Sequence, residues 1–99
     1  MDTANQLKHY WEAAVGNAVA KASSVVQRAD VVLQTKFTAL GGQNASLPFP
    51  FDPVMPIGMQ VRQSCLSSLR NLQTAYLDSL LLHSPYARNE DTLEAWRGT

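Results

Sequence analysis

The sequence predicts an α/β fold built on parallel strands, and three observations carry that prediction. Two short apolar runs, Val31-Val32-Leu33 and Leu80-Leu81-Leu82, have the length and composition of buried strands. Between them lies a segment with apolar residues at helical spacing. Two strands joined by a helix form a right-handed βαβ crossover, which makes the strands parallel. A doubly wound sheet and a (β/α) barrel both contain that unit.

The elements follow in order. From His9 to about Gln27, Trp11, Ala14, Val15, Ala18, Val19 and Ala22 recur at spacings of three and four, one apolar stripe of a helix rich in alanine. RADVVLQTKF, residues 28–37, then gives a buried strand of about six residues ending near Lys36. Residues 38–57 hold four prolines and two glycines, which deny that stretch a helix or a central strand. A loop of that length inside a small domain is more often a functional loop or lid than a connector.

Helical spacing returns from Gly58 to Leu72, with Val61, Cys65, Leu69 and Leu72 on one face. YLDSLLLHSP, residues 76–85, supplies the second buried strand, Leu77 to His83. A last helix starts after Asn89, a suitable N-cap, with Glu90 and Asp91 where the helix dipole favours acids. Trp96 on that helix is expected in the core.

At 99 residues the chain is at most one small domain. It is 45% hydrophobic and 16% charged, with eight basic and eight acidic side chains. That composition is globular, and a formal charge of zero gives no electrostatic case for nucleic acid or an anionic membrane as partner. Cys65 is the single cysteine, so no internal disulfide forms and a reducing compartment is indicated. No apolar run approaches the ~18 residues of a membrane span. The polar N-terminus is no secretory signal, so a cytoplasmic location is expected.

Both strands end in a residue able to do acid–base or electrostatic work, Lys36 after VVLQT and His83 after SLLL. Active sites of α/β folds lie at the C-terminal ends of parallel strands, so both are candidates. The bland readings are a solvated strand end for Lys36 and a capping or core histidine for His83. Gly41 and Gly42 lack a phosphate-binding pattern and read as a turn. His9 and His83 lack companions at ligand spacing, so no metal is expected. No serine sits in a nucleophile-elbow context.

Three blocks resemble the aldo-keto reductase family. MDTANQLKHYWEAAVGNAV resembles the segment in which Asp-Thr-Ala precedes a tyrosine, a glutamate and Val-Gly; VVLQTKF resembles the strand ending in Thr-Lys. SSLRNLQTAYLDSLLLHSP resembles the next helix and strand, which close on His-x-Pro. The blocks keep the family's order and cover nearly the whole chain.

The resemblance implies a catalytic set of Asp2, Tyr10, Lys36 and His83. The family's tyrosine usually falls five residues after the aspartate, here Leu7; counted back from Glu12 it falls on His9. Tyr10 is the nearby phenol and is assigned the role, against the plainer reading that it begins the first helix with Trp11. In the implied reaction a carbonyl is reduced to an alcohol by hydride from NADPH. Tyrosine supplies the proton, lysine favours the phenolate, aspartate holds the lysine, and histidine polarises the carbonyl. A small-molecule aldehyde or ketone is the implied partner.

By the same resemblance, residues 1–99 would be an incomplete (β/α)8 TIM-barrel domain, with two strands and three helices. It would lack the first strand and the second half of a fold that runs to about 250 residues. Most of the NADP site would then lie outside the chain, with Asp2 the one cofactor contact inside it. Both sheet edges and one sheet face would be unpartnered, and the fragment inactive alone, as a truncated product or an incomplete gene model. Phe49, Phe51 and Met55 would either wall a substrate pocket or pack the long loop onto the barrel rim. A reading of another class is a non-catalytic remnant that serves as a small protein-interaction module.

Overall fold

The computed structural model describes residues 1–98. Its centre is strand β1, Gln34–Phe37, which pairs in parallel with β2, Ser79–Leu82; Lys36 stands beside Leu81 and Phe37 beside Leu82. Helix α2, Ile57–Leu72, connects them, so the expected βαβ unit is present. Helix α1, Glu12–Lys21, precedes β1 and α3, Asn89–Gly98, follows β2. Short 3-10 turns occupy Ala22–Ser24, Arg28–Asp30 and Leu40–Gly42. The chain is thus a mixed α/β unit of two parallel strands and three helices. No helix among the described residues is long and apolar enough to cross a membrane.

The first five residues run parallel to β1 along its other edge. Gln34 N–H donates to the Met1 carbonyl at 2.9 Å, Thr3 N–H to Gln34 at 2.9 Å, and Asn5 N–H to Lys36 at 3.1 Å. A bridge pairs Asp2 with Gln34. The expectation of two bare sheet edges is therefore corrected at one of them: the N-terminal segment covers the outer edge of β1, while among the described residues β2 pairs with β1 alone.

Both strands are shorter than the sequence predicts. Val31 and Val32 approach β1 without joining it, and Val32 is 65% exposed. Leu33 is the buried residue of that run. Its N–H donates to Asp78 Oδ2 at 2.8 Å, and its carbonyl accepts from the N–H groups of Asp78 and Ser79. Strand β2 begins at Ser79 and is half-buried rather than buried, because Leu81 lies on the sheet face opposite the helices and is 40% exposed.

Helix α1 is also shorter and turns a different face inward. It ends where Ser23, Ser24, Val25 and Val26 follow, poor helix formers in succession. Its buried residues are Glu12 and Gly16, whereas Trp11 of the expected stripe is 68% exposed. A Cβ on Gly16 would stand 2.0 Å from the Asn71 carbonyl oxygen, so α1 crosses α2 backbone to backbone at this point. That contact fixes the rotation of the helix. The alanine-rich side, with Ala18 and Ala22, is left outward.

The core lies on the helix side of the sheet, where Phe37, Phe51, Val61 and Ala95 are buried with Ile57, Leu82 and Tyr86 packed around them. Burial of each large side chain is worth roughly 1.5–3 kcal/mol. Trp96 is not in this core; it is 62% exposed, and Ala95 takes the inward position. The cause is a second close approach: a Cβ on Gly98 would meet Gly58 backbone atoms at 2.8–2.9 Å. Ala95 and Gly98, three apart, share the face that contact selects, and Trp96 falls on the flank.

Candidate active site

Alternation along β1 sends Thr35 and Phe37 to the buried side, and Gln34 and Lys36 to the opposite face. There Lys36 Nζ donates to Asp2 Oδ1 at 2.9 Å and to the Thr3 carbonyl at 3.1 Å. Gln34 Nε2 donates to the same Asp2 oxygen at 3.0 Å. These bonds, Gln34's first and Lys36's next, hold the Asp2 carboxyl below the usual carboxylate range. Asp2 is exposed, so solvent screens the pair; its clear consequence is the placing of the lysine.

Tyr10 arrives on the turn before α1, where its N–H donates to the Gln6 carbonyl at 3.0 Å. Its ring centroid lies 5.4 Å from Lys36 Nζ, and the His83 imidazole stands edge-on to it at 5.6 Å. His83 follows β2 directly, and its N–H donates to the Phe37 carbonyl at 2.9 Å, one step beyond the strand. On the ring, Nδ1 lies 2.7 Å from Thr38 Oγ1. Burial, and then the charge of Lys36, push the His83 pKa below 6.5, with Asp2 opposing weakly. The imidazole is therefore neutral near pH 7.

The structure thus brings Asp2, Tyr10, Lys36 and His83 together at the C-terminal end of two adjacent parallel strands. Such a face is where an α/β fold presents reactive groups. A cation, a phenol and a neutral imidazole side by side can stabilise a developing oxyanion and deliver a proton to it.

A model of the aldo/keto reductase family matches residues 1–98. The chain belongs to that family. Searches of the curated proteins and of the solved structures each return no match.

Within this aldo/keto reductase chain, the residues sequence reasoning missed stand behind the cluster and hold it. Glu12 is 3% exposed. Its Oε2 accepts from the hydroxyls of Thr35 and of Ser68, the latter at 2.8 Å, and its Oε1 accepts from Asn71 Nδ2 at 3.0 Å. Asn5 Nδ2 adds bonds to Ser68 Oγ at 3.1 Å and to the Ser64 carbonyl at 3.0 Å. One carboxyl group thereby ties the Tyr10 segment to the β1 residue before Lys36 and to α2. A signal was present: Ser64, Ser68 and Asn71 recur at spacings of four and three, a polar stripe beside the apolar one.

The long loop divides its aromatics. Phe51 packs in the core against Phe37, with ring centroids 5.6 Å apart. Phe49 joins Tyr10, Trp11, Pro48 and Pro50 around a crevice of about 200 Å³. Met55 serves by its carbonyl, which accepts from Gln60 Nε2 at 2.9 Å. Among the described residues no group of three or more His, Cys, Asp or Glu side chains could hold a metal ion.

Proposed function

We propose that this chain carries the proton-donating side of an aldo-keto reductase site, which reduces an aldehyde or ketone to an alcohol at the expense of NADPH. The observation that supports it is a chain of neighbours: Asp2 bonds Lys36, Lys36 Nζ lies 5.4 Å from the Tyr10 ring, and that ring stands 5.6 Å from His83. In this reading a hydride adds to the carbonyl carbon, and the oxygen takes the Tyr10 phenol proton. Solvent then returns a proton to the phenolate. Asp2 keeps the Lys36 ammonium in place beside the Tyr10 ring. Neutral His83 donates a ring N–H hydrogen bond to the carbonyl oxygen and thus stabilises the charge that develops there. Small-molecule carbonyl compounds and a cytoplasmic setting belong to the same reading.

The fit to a nicotinamide dinucleotide is confined to one end. Asp2, at the sheet face, would meet the nicotinamide side, and the cofactor would supply the hydride when bound. For the phosphates the chain offers little at this face, because Lys36 is already neutralised by Asp2. Gly42 N–H is committed to the Ala39 carbonyl within its turn. Titration of NADPH into the purified 99-residue chain, followed by nicotinamide fluorescence, tests this part. No saturable binding in the micromolar range is expected, and micromolar affinity would overturn it.

A further inference from the structure

We propose that Thr38 is a positioning residue that sets the tautomer of His83, keeping its hydrogen on Nε2 so that this N–H faces the carbonyl. The tautomer stands on hydrogen-bond geometry alone; its use on a carbonyl rests on the reductase reading above.

The 2.7 Å contact between Thr38 Oγ1 and His83 Nδ1 holds one hydrogen, and either atom could carry it. Thr38 is 3% exposed, and among the described residues its hydroxyl has no other hydrogen-bond partner. If Nδ1–H donated to Oγ1, the hydroxyl's own hydrogen would be buried without an acceptor. An unsatisfied buried donor disfavours a state by about fivefold to a hundredfold. If the hydroxyl donates instead, its hydrogen is satisfied, and the oxygen lacks only a donor, which buried oxygens tolerate more readily. Nδ1 is then the acceptor, and a neutral ring must carry its hydrogen on Nε2.

Both partners are fixed in place. The Thr38 methyl lies against Gly42, where a Cβ would come within 2.7 Å of Cγ2. The Thr38 carbonyl accepts from Gln43 Nε2 at 3.0 Å. His83 is held by its backbone bond to Phe37 and by the edge-on Tyr10 ring. The opposite tautomer would turn a lone pair from Nε2 toward a carbonyl oxygen and repel it.

The test is ring-nitrogen NMR on the full 99-residue chain with 15N-labelled histidine, above the His83 titration. A His9→Gln variant assigns the two histidines. The expected result is Nε2–H in the wild type and in Thr38→Ser. In Thr38→Val, near-isosteric but without the hydroxyl, the Nδ1–H share should rise about two- to tenfold, the worth of one lost hydrogen bond. A wild type that is mainly Nδ1–H overturns the proposal without need of any variant, as does an unchanged ratio in folded Thr38→Val. No cofactor or turnover enters the measurement. A positive result beside a folded chimera of residues 1–98 in a complete reductase that shows no turnover would therefore count against the reductase reading and leave Thr38's role standing.

Discussion

The Tyr10 ring stands edge-on to the His83 imidazole, with centroids 5.6 Å apart and planes at 72°. One residue comes from the turn before the first helix and the other from the end of the last strand. Their meeting depends on α1, β1 and β2 each being held in register.

The His83 environment predicts a titration below the ordinary value of 6.5. Removal of the nearest repelling charge, in Lys36→Met, should raise the midpoint; removal of the opposing carboxylate, in Asp2→Asn, should lower it. Folding stability follows with a defined sign. Below pH 6.5 the unfolded chain takes a proton that the folded chain resists, so stability rises with pH through that window and is complete above it. NMR titration of the ring and melting curves between pH 5 and 7 check both, and His83→Gln should flatten the slope.

Glu12 predicts a large effect from a residue away from the reacting face. In Glu12→Ala, the Thr35 and Ser68 hydroxyls and the Asn71 amide lose their shared acceptor inside the protein. A loss of about 3–5 kcal/mol is expected, as for a buried network with one partner removed. Glu12→Gln keeps the size and one acceptor oxygen and should lose about 1–2 kcal/mol. Urea denaturation measures both.

Gly16 and Gly41 form a matched pair. At Gly16 a methyl would collide with the Asn71 carbonyl, a backbone atom that cannot swing aside; at Gly41 nothing lies within 4 Å. Gly16→Ala should therefore destabilise by about 1–3 kcal/mol as α1 is forced off α2. Gly41→Ala should be neutral or slightly stabilising through the unfolded chain. Thermal melts of the two variants side by side decide it.

How much of this was legible depended on whether side chains or backbone contacts decided the outcome. The βαβ unit was readable because Leu33, Val61, Leu72 and Leu82 carry their apolar character in strand and helix patterns. The cover on β1 was not. Met1 to Asn5 have no strand signal, and their pairing is made by main-chain bonds that any sequence could form. The rotations of α1 and α3 were hidden for a related reason, since Gly16 and Gly98 set them by being small, and no periodicity of apolar residues reports that. Glu12 reads as solvent-facing in a helix pattern, and only Thr35, Ser68 and Asn71, distant in sequence, make it a buried residue. Lys36 and His83 stood out by their place at the strand ends, and Tyr10 by family resemblance alone.

Tyr10, held among Asp2, Lys36 and His83, is the proposed proton donor in carbonyl reduction. The most direct test of that role exchanges residues 1–98 for the matching segment of a complete aldo-keto reductase and follows NADPH-dependent reduction of an aldehyde. The chimera should turn over, and kcat should fall by about a hundred- to ten-thousandfold in Tyr10→Phe. A folded chimera whose turnover is unchanged by Tyr10→Phe would contradict it.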